Sequence, residues 1–326
     1  MSRPTRILII GANGQIGTEL AAELALRHGD EAVITSDLSP QGRVRTLQHE
    51  ALDVTDAGAL ATVVKRHKIT QIYHLAAALS ANGEKHPMWA WDLNMKGLLN
   101  VLELARTVKL ERVFWPSSIA AFGPQTPKQG TPQTTVMDPT TIYGISKLAG
   151  EGWCRWYHAN HGVDVRSLRY PGLISYKTPP GGGTTDYAVD IFHGALKNGR
   201  YSCFLEQGQA LPMMYMPDAL RATIELMTAP ADASARLARP KRWSMMNLAG
   251  TSLAMPGPPC VIATTASYSF ATDVASSSKT VAKLGHSIGT TICRYTRQAG
   301  MPSRRAAFQI SGSMPRRPAS TSAMTR

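Results

Sequence analysis

The most informative part of the sequence for the fold is Arg6-Ile-Leu-Ile-Ile-Gly11-Ala-Asn-Gly14-Gln-Ile-Gly17. Its apolar run is typical of a buried strand, and the residues after Gly14 have the periodicity of a helix. Gly11 permits a tight turn, Gly14 lets the backbone approach a pyrophosphate, and Gly17 lets the helix pack close to the sheet. The free N–H groups and positive dipole at the helix N-terminus attract phosphate. The stretch therefore predicts a dinucleotide-binding turn.

The pattern that starts there continues for about 170 residues as alternating short apolar runs and amphipathic stretches. We predict strands over residues 6–10, 32–36, 72–75, 112–115 and 163–168. We predict helices over residues 15–27, 57–67, 87–108 and 142–161. Strands alternating with helices of this length indicate an α/β fold, a doubly wound parallel sheet with helices on both faces.

Beyond residue 171 the alternation is looser. A glycine-rich loop over 179–186 precedes a predicted helix over 187–197 and a short strand over 201–205. Asp218 is placed to cap a further helix over 219–227. We therefore predict a dinucleotide-binding domain over residues 1–175 and a small substrate lobe over 176–250, which can share sheet elements. Residues 251–326 form an atypical basic tail.

Composition excludes several functional classes. The chain has 326 residues, of which 43% are hydrophobic and 17% charged, as in ordinary globular proteins. The formal charge is +13, but residues 251–326 carry nine basic residues and one acidic residue, which leaves +5 for the rest. We therefore expect no nucleic-acid partner. No secretory signal or run of about 20 apolar residues is present, so we expect no membrane association.

The cysteines and histidines point to an ordinary cytoplasmic protein without a metal. Four scattered cysteines show no metal-like spacing, so reduced thiols and a cytoplasmic location are the expectation. Nine histidines are equally scattered, and we expect no metal site.

Asp37 ends the second predicted strand, 20 residues after Gly17. A carboxylate at this place accepts hydrogen bonds from the adenosine ribose and repels a 2′-phosphate, which favours NAD over NADP. The alternative is that Asp37 is only a turn residue before Pro40. Asp53, after the third strand, is a candidate for the adenine amino group, and Asp56 is a candidate helix cap.

Tyr143 and Lys147 lie one helical turn apart on one face of a predicted helix. A free tyrosine has a pKa near 10, so it needs a neighbouring positive charge to act as a base. Ser117 and Ser118, at the end of a strand, are candidate hydroxyl donors to a substrate oxygen. The alternative is an ordinary surface pair, which such spacing often produces.

These motifs resemble the extended short-chain dehydrogenase/reductase family. Within it, the chain is most similar to the short-chain-type L-threonine 3-dehydrogenases. The similarity covers roughly residues 6–250 and is carried by Trp115-Pro-Ser-Ser-Ile-Ala-Ala-Phe-Gly-Pro124, Tyr143-Gly-Ile-Ser-Lys147, Arg169-Tyr-Pro-Gly-Leu-Ile-Ser175, Pro179-Pro-Gly-Gly-Gly-Thr-Thr-Asp-Tyr-Ala188 and Leu211-Pro-Met-Met-Tyr-Met-Pro-Asp-Ala219. The last two are much more specific than the general family motifs.

The resemblance implies NAD-dependent oxidation of the L-threonine side-chain hydroxyl to 2-amino-3-ketobutyrate. Tyr143 would be the base, Lys147 would tune it, and Ser118 would hold the developing carbonyl oxygen, with Ser117 an adjacent candidate. Asn94 would be structural and bond backbone near the active site. The helices over 87–108 and 142–161 resemble those that pair family members into homodimers.

The resemblance also implies two sets of contact residues. The expected cofactor contacts are Gly11, Asn13, Gly14, Gln15, Ile16, Gly17, Asp37, Leu52, Asp53, Val54, Leu75, Ala76, Ala77, Tyr143, Lys147, Tyr170, Pro171 and Ile174. The expected substrate contacts are Ser80, Ser117, Ser118, Tyr143, Thr184 and Thr185.

The resemblance stops near Gly250. Residues 251–326 contain 22 Ser or Thr and no Glu, and no Trp follows Trp243, where family members have acidic helices and a tryptophan segment. Our hypothesis is an out-of-frame translation of a GC-rich gene, which would remove part of the substrate lobe and put the activity of this chain in doubt. Resequencing that finds no frame change after codon 250 would refute it. The alternatives are a genuine divergent tail or a nucleic-acid arm.

Two other functions fit the same motifs. A sugar-nucleotide epimerase or dehydratase shares the fold, the cofactor and the Tyr/Lys pair. A non-catalytic NAD-binding regulator shares the fold and the cofactor but has no need of a base.

Overall fold

A parallel sheet forms the centre of the protein. The computed structural model describes residues 4–128, 130–177, 181, 183, 185–199, 201–203, 211–230 and 244–247. The strands are β1 (Ile7–Ile10), β2 (Val33–Asp37), β3 (Gln48–Ala51), β4 (Gln71–His74), β5 (Arg112–Phe114), β6 (Ser117–Ser118), β7 (Val165–Tyr170), β8 (Gly172–Ile174), β9 (Met213–Tyr215) and β10 (Ser244–Asn247). The main sheet has the order β10-β7-β5-β4-β1-β2-β3, with β6 also paired to β7. A separate two-stranded sheet joins β8 and β9.

Helices connect the strands. They are α1 (Gln15–His28), α2 (Ala57–Arg66), α3 (Ser80–Lys85), α4 (Pro87–Val108), α5 (Ile142–His161), α6 (Tyr187–Asn198) and α7 (Met216–Thr228). The hydrophobic residues of the sheet are distributed between two clusters. One cluster contains Ile7 and Ile9 together with residues of α1 and α7. The other contains Leu8 and Ile10 together with residues of α2 and α4. This division gives the doubly wound α/β architecture and confirms the predicted fold class.

Several local predictions are confirmed at residue level. Asp56 caps α2 by accepting a hydrogen bond from the Ala59 N–H at 2.9 Å. The side-chain oxygen of Asn94 accepts from the Ala78 N–H at 2.8 Å, as expected for a structural asparagine. The Asp56 cap could be predicted because the capping oxygen and the N–H are three residues apart in the chain.

Two local predictions differ from the structure. Asp218 was expected to cap its helix, but α7 begins earlier, at Met216, and Asp218 lies in the first turn. Pro217 at the start of the helix explains the shift, because its fixed φ favours the first helical turn. Residues 201–203 of the predicted strand over 201–205 are not in a strand, and the rest of that segment lies outside the described residues.

Among the described residues, 4–189 and 211–247 belong to one compact unit and 190–203 to another. The domain boundary predicted at residue 175 stays a prediction, and residues 251–326 lie outside the described residues. Within the described ranges, no helix is both long enough and apolar enough to cross a bilayer.

Candidate active site

The sheet order reverses between β1 and β4, since β2 and β3 lie on one side of β1 and the later strands on the other. In doubly wound folds, ligands bind at the carboxyl ends of the strands on either side of such a reversal. The Gly11 turn follows β1 and Leu75 follows β4, so the sequence motif lies at this point.

The glycine-rich turn is shaped to receive a phosphate. Gly11 has a φ of +81°, and a Cβ there would lie 2.6 Å from the Ala76 N atom. A Cβ at Gly17 would overlap the Gly11 carbonyl oxygen. Among the described residues, no side chain caps the N-terminus of α1, and no acidic residue lies in its first turn. The N–H groups of that turn are therefore available to an anion.

Asp37 lies beside this turn at the end of β2. Its Oδ2 accepts a hydrogen bond from the Asn13 N–H at 3.0 Å. A cavity of about 220 Å³ next to it is lined by Ile10, Gly11, Gly14, Asp37, Leu38, Leu52, Asp53, Val54, Leu75, Ala76, Ala77 and Leu93. The predicted adenosine contacts therefore do surround one cavity, and sequence reasoning missed Leu38 and Leu93 in its wall.

A second cavity, of about 380 Å³, adjoins the same strand ends. Its walls include Gln15, Ile16, Leu75, Ala77, Ser80, Ser117, Ser118, Tyr143, Lys147, Tyr170, Pro171 and Thr185, all of them predicted site residues. Sequence reasoning missed Leu79, Phe122, Thr140, Asp186 and Leu211, which also line it. The Gln15 Nε2 is buried there without a hydrogen-bond partner among the described residues. A polar ligand would satisfy this donor, so the residues present fit a dinucleotide.

Three predicted contacts lie elsewhere, and one is not described. Ile174 pairs with Tyr215 in the two-stranded sheet and lines neither cavity. Gly17 is buried at the contact between α1 and the turn. Asn13 lines an outer cavity with Ser39, Arg43 and Arg45. Thr184 lies outside the described residues.

Tyr143 lies in the first turn of α5, which Thr141 caps. The Ser118 hydroxyl hydrogen-bonds the Tyr143 phenol and also accepts from the Ala120 N–H at 3.1 Å. Burial raises the pKa of Tyr143 to about 12, opposed by the hydrogen bond from Ser118. From the sequence we expect the charge of Lys147 to lower the pKa of this phenol. With the described protein groups alone, the pKa is instead raised.

The reason lies in the position of Lys147. Its side chain is 3% exposed, and its Nζ donates to the Pro116 carbonyl oxygen at 2.6 Å. The Nζ lies 4.6 Å from the centre of the Trp115 ring and 5.4 Å from that of Tyr143. Burial lowers the pKa of Lys147 to about 7, although the neighbouring Glu151 carboxylate raises it. The ammonium therefore lies under the tyrosine ring, bound to a carbonyl.

Ser117 lines the second cavity, but its hydroxyl is bound to a protein carboxylate. Its hydroxyl donates to Glu151 Oε1 at 2.6 Å, and Glu151 in turn pairs with Arg169 through Nε at 2.8 Å and Nη2 at 2.7 Å. Ser118 is therefore the serine whose hydroxyl contacts the Tyr143 phenol. Sequence reasoning missed Glu151, although its spacing of one further turn after Lys147 was a usable signal.

The described part of the chain contains no group of three or more His, Cys, Asp or Glu residues that could hold a metal ion. Cys154 and Cys203 are both free thiols.

Comparison with known proteins agrees with this geometry. The model of the NAD dependent epimerase/dehydratase family matches residues 7–237. An uncharacterized epimerase/dehydratase of Staphylococcus haemolyticus is 49% identical over 230 residues, which are 70% of this chain and 72% of that protein.

Solved structures of L-threonine dehydrogenases are also similar. The GalE-like enzyme of Cupriavidus necator, in its holo form, is 70% identical with a TM-score of 0.71, covering 75% of this chain and 78% of that one. The enzyme of Clostridium difficile is 45% identical with a TM-score of 0.71, covering 77% and 78%. The chain belongs to the NAD-dependent epimerase/dehydratase family, the extended short-chain dehydrogenases/reductases, and is an oxidoreductase with a nicotinamide cofactor.

Proposed function

We propose that this protein is an L-threonine 3-dehydrogenase that uses NAD and forms 2-amino-3-ketobutyrate. The observation that carries the proposal is the hydrogen bond between Ser118 and Tyr143 inside a cavity that Thr185 also lines. A hydroxyl, a phenol and a threonine-lined loop suit a small hydroxy amino acid. The similarity to L-threonine dehydrogenases at 45% and 70% identity supports the same substrate.

Tyr143 takes the proton from the substrate hydroxyl, and Ser118 holds the same oxygen as it becomes a carbonyl. The nicotinamide supplies the hydride acceptor and, when oxidised, a positive charge. That charge favours the phenolate and acts against the burial that raises the Tyr143 pKa. Lys147 holds the Pro116 carbonyl and contributes a second positive charge beneath the tyrosine ring.

We infer a preference for NAD over NADP from Asp37, whose carboxylate lines the adenosine cavity. A 2′-phosphate there would meet a negative charge, whereas the ribose hydroxyls would find an acceptor.

A homodimer is also part of the proposal. Three large aromatic side chains on α4 and α5 are solvent-exposed in this chain: Trp89 at 52%, Trp153 at 41% and Trp156 at 46%. Exposed apolar patches of this kind mark protein interfaces. A cytoplasmic location agrees with the free thiols of Cys154 and Cys203.

The test is NADH formation from NAD with L-threonine, run in parallel with UDP-sugars and without substrate. We expect turnover with threonine only, and at least about a 100-fold loss in Tyr143→Phe, as for removal of a general base. NAD affinity and the melting temperature of that variant should stay near the unsubstituted values.

A UDP-sugar converted without net NADH would favour the epimerase alternative. NAD binding without turnover of any substrate would favour a regulator or a chain inactivated by its tail. Either result refutes the proposed function of this chain.

A further inference from the structure

Glu151 and Arg169 form a buried ion pair whose purpose the reaction above does not explain. Glu151 is 0% and Arg169 3% exposed, and the two are joined by two hydrogen bonds of 2.8 Å and 2.7 Å. A buried ion pair of this kind seldom adds net stability compared with apolar residues, because both charges lose their hydration. The contacts of the pair therefore point to what it does.

The pair holds the strand end that carries Ser118. Glu151 Oε1 accepts from the Ser117 hydroxyl at 2.6 Å, and Ser117 is the register partner of Arg169 between β6 and β7. One residue earlier, the Pro116 carbonyl accepts from Lys147 at 2.6 Å. Pro116 and Ser117 are thus each fixed by a charged side chain of α5. These two bonds hold the two residues that directly precede Ser118.

We propose that Glu151 is a positioning residue of the active site, which acts through Ser117 on Ser118 and through its charge on Lys147. This inference rests on the proposed function only in its kinetic part. Nothing in it requires Glu151 to touch substrate or cofactor.

The spacing along α5 explains why the charge acts on Lys147 more than on Tyr143. Tyr143, Lys147 and Glu151 follow each other at intervals of four residues on one helix face, about 6 Å apart along the axis. The carboxylate is therefore nearer to the ammonium than to the phenol. It favours the pair of charged forms, phenolate with ammonium, over the neutral pair.

The other groups around Lys147 do not replace this charge. His74 on β4 is neutral, because burial lowers its pKa to about 3. Cys154 on α5 is a neutral thiol, because burial raises its pKa. Arg169 on β7 is paired with Glu151 itself.

Two variants and one control test the inference in the full chain. Ser117→Ala removes the anchor but leaves the Glu151–Arg169 pair, and we expect kcat for threonine to fall roughly 10-fold with an unchanged KM for NAD. The lost buried hydrogen bond also lowers the melting temperature. Glu151→Gln keeps an acceptor for Ser117 but loses the charge. We expect a kcat loss of the same order and a Lys147 pKa below that of the unsubstituted protein, because the carboxylate that raises it is gone. Glu103→Gln, an exposed glutamate on α4, should change neither.

The Lys147 titration is read by NMR of protein with isotope-labelled lysine, with the Lys147→Met protein used to assign the signal, so it needs no substrate. If the unsubstituted protein does not oxidise threonine, the proposed function fails while this titration still decides the inference. A Glu151→Gln titration equal to that of the unsubstituted protein overturns the inference. So does a Ser117→Ala variant with full kcat in an active enzyme.

Discussion

Lys147 is a lysine buried at the contact between α5 and the sheet, where its charge loses most of its hydration. Its pKa in the folded protein is about 7, compared with 10.5 for an unperturbed lysine. Between these values the unfolded chain binds more protons than the folded one, so the stability of the native protein rises with pH.

We therefore predict a pH-dependent effect of Lys147→Met. The variant lacks the cost of burying a charge, so its stability relative to the unsubstituted protein is greatest below pH 7 and declines as the pH approaches 10.5. The relative stability should change by up to about 1.4 kcal/mol per pH unit in that window. Urea unfolding at several pH values measures it, with Lys65→Met as the exposed control. A pH-independent difference would contradict the prediction.

A second prediction concerns Asp37, at the end of β2. Asp37→Ala removes an acceptor for the ribose, and we expect KM for NAD to rise about 10-fold, as for loss of a hydrogen bond to a charged group. KM for NADP should fall, since Arg43 and Arg45 line the neighbouring outer cavity. Steady-state kinetics with both cofactors measure the change, and Asp30→Ala serves as the exposed control. An unchanged preference would show that Asp37 only shapes the turn.

At the scale of elements, the C-terminal end of α7 is bound to the sheet by Arg166 of β7. The guanidinium is 0% exposed and donates to the Ala229 carbonyl at 2.7 Å and to Asp164 at 2.8 Å and 2.9 Å. It takes the place of a helix cap for carbonyl groups that have no partner within the helix.

Arg166→Met should destabilise the protein by about 3 kcal/mol, because it leaves buried carbonyls without a donor and Asp164 without its closest cation. Equilibrium urea unfolding measures this loss. Arg221→Ala, at an exposed ion pair with Asp218, should change the stability by no more than about 0.5 kcal/mol. Equal effects of the two variants would argue against a capping role for Arg166.

At the scale of the whole molecule, the exposed tryptophans of α4 and α5 predict association of two chains. A charge placed in an apolar interface costs much more than the same charge on an open surface, because it loses its hydration without a partner. Trp156→Glu should therefore give monomers in analytical ultracentrifugation at concentrations where the unsubstituted protein is dimeric. Leu26→Glu, on α1 and 84% exposed, should leave the dimer intact. A monomeric unsubstituted protein would refute the proposed dimer.

Features that depend on neighbouring residues in the chain follow from the amino-acid sequence alone. The glycines at 11, 14 and 17, the alternation of strands and helices, and the cap at Asp56 follow from local sterics and periodicity. They could be predicted for that reason. The Tyr143–Lys147 spacing followed from helix geometry in the same way.

The contacts between separate elements depend on tertiary packing and could not be predicted from the sequence. Ser117, Glu151 and Arg169 are 34 and 18 residues apart, and no local rule joins a strand end, a helix and a second strand. The direction of the Tyr143 pKa also had to come from the structure, since burial depends on everything packed around the phenol. Helix spacing places Lys147 beside Tyr143, but packing against Trp115 and Pro116 decides what its charge contacts.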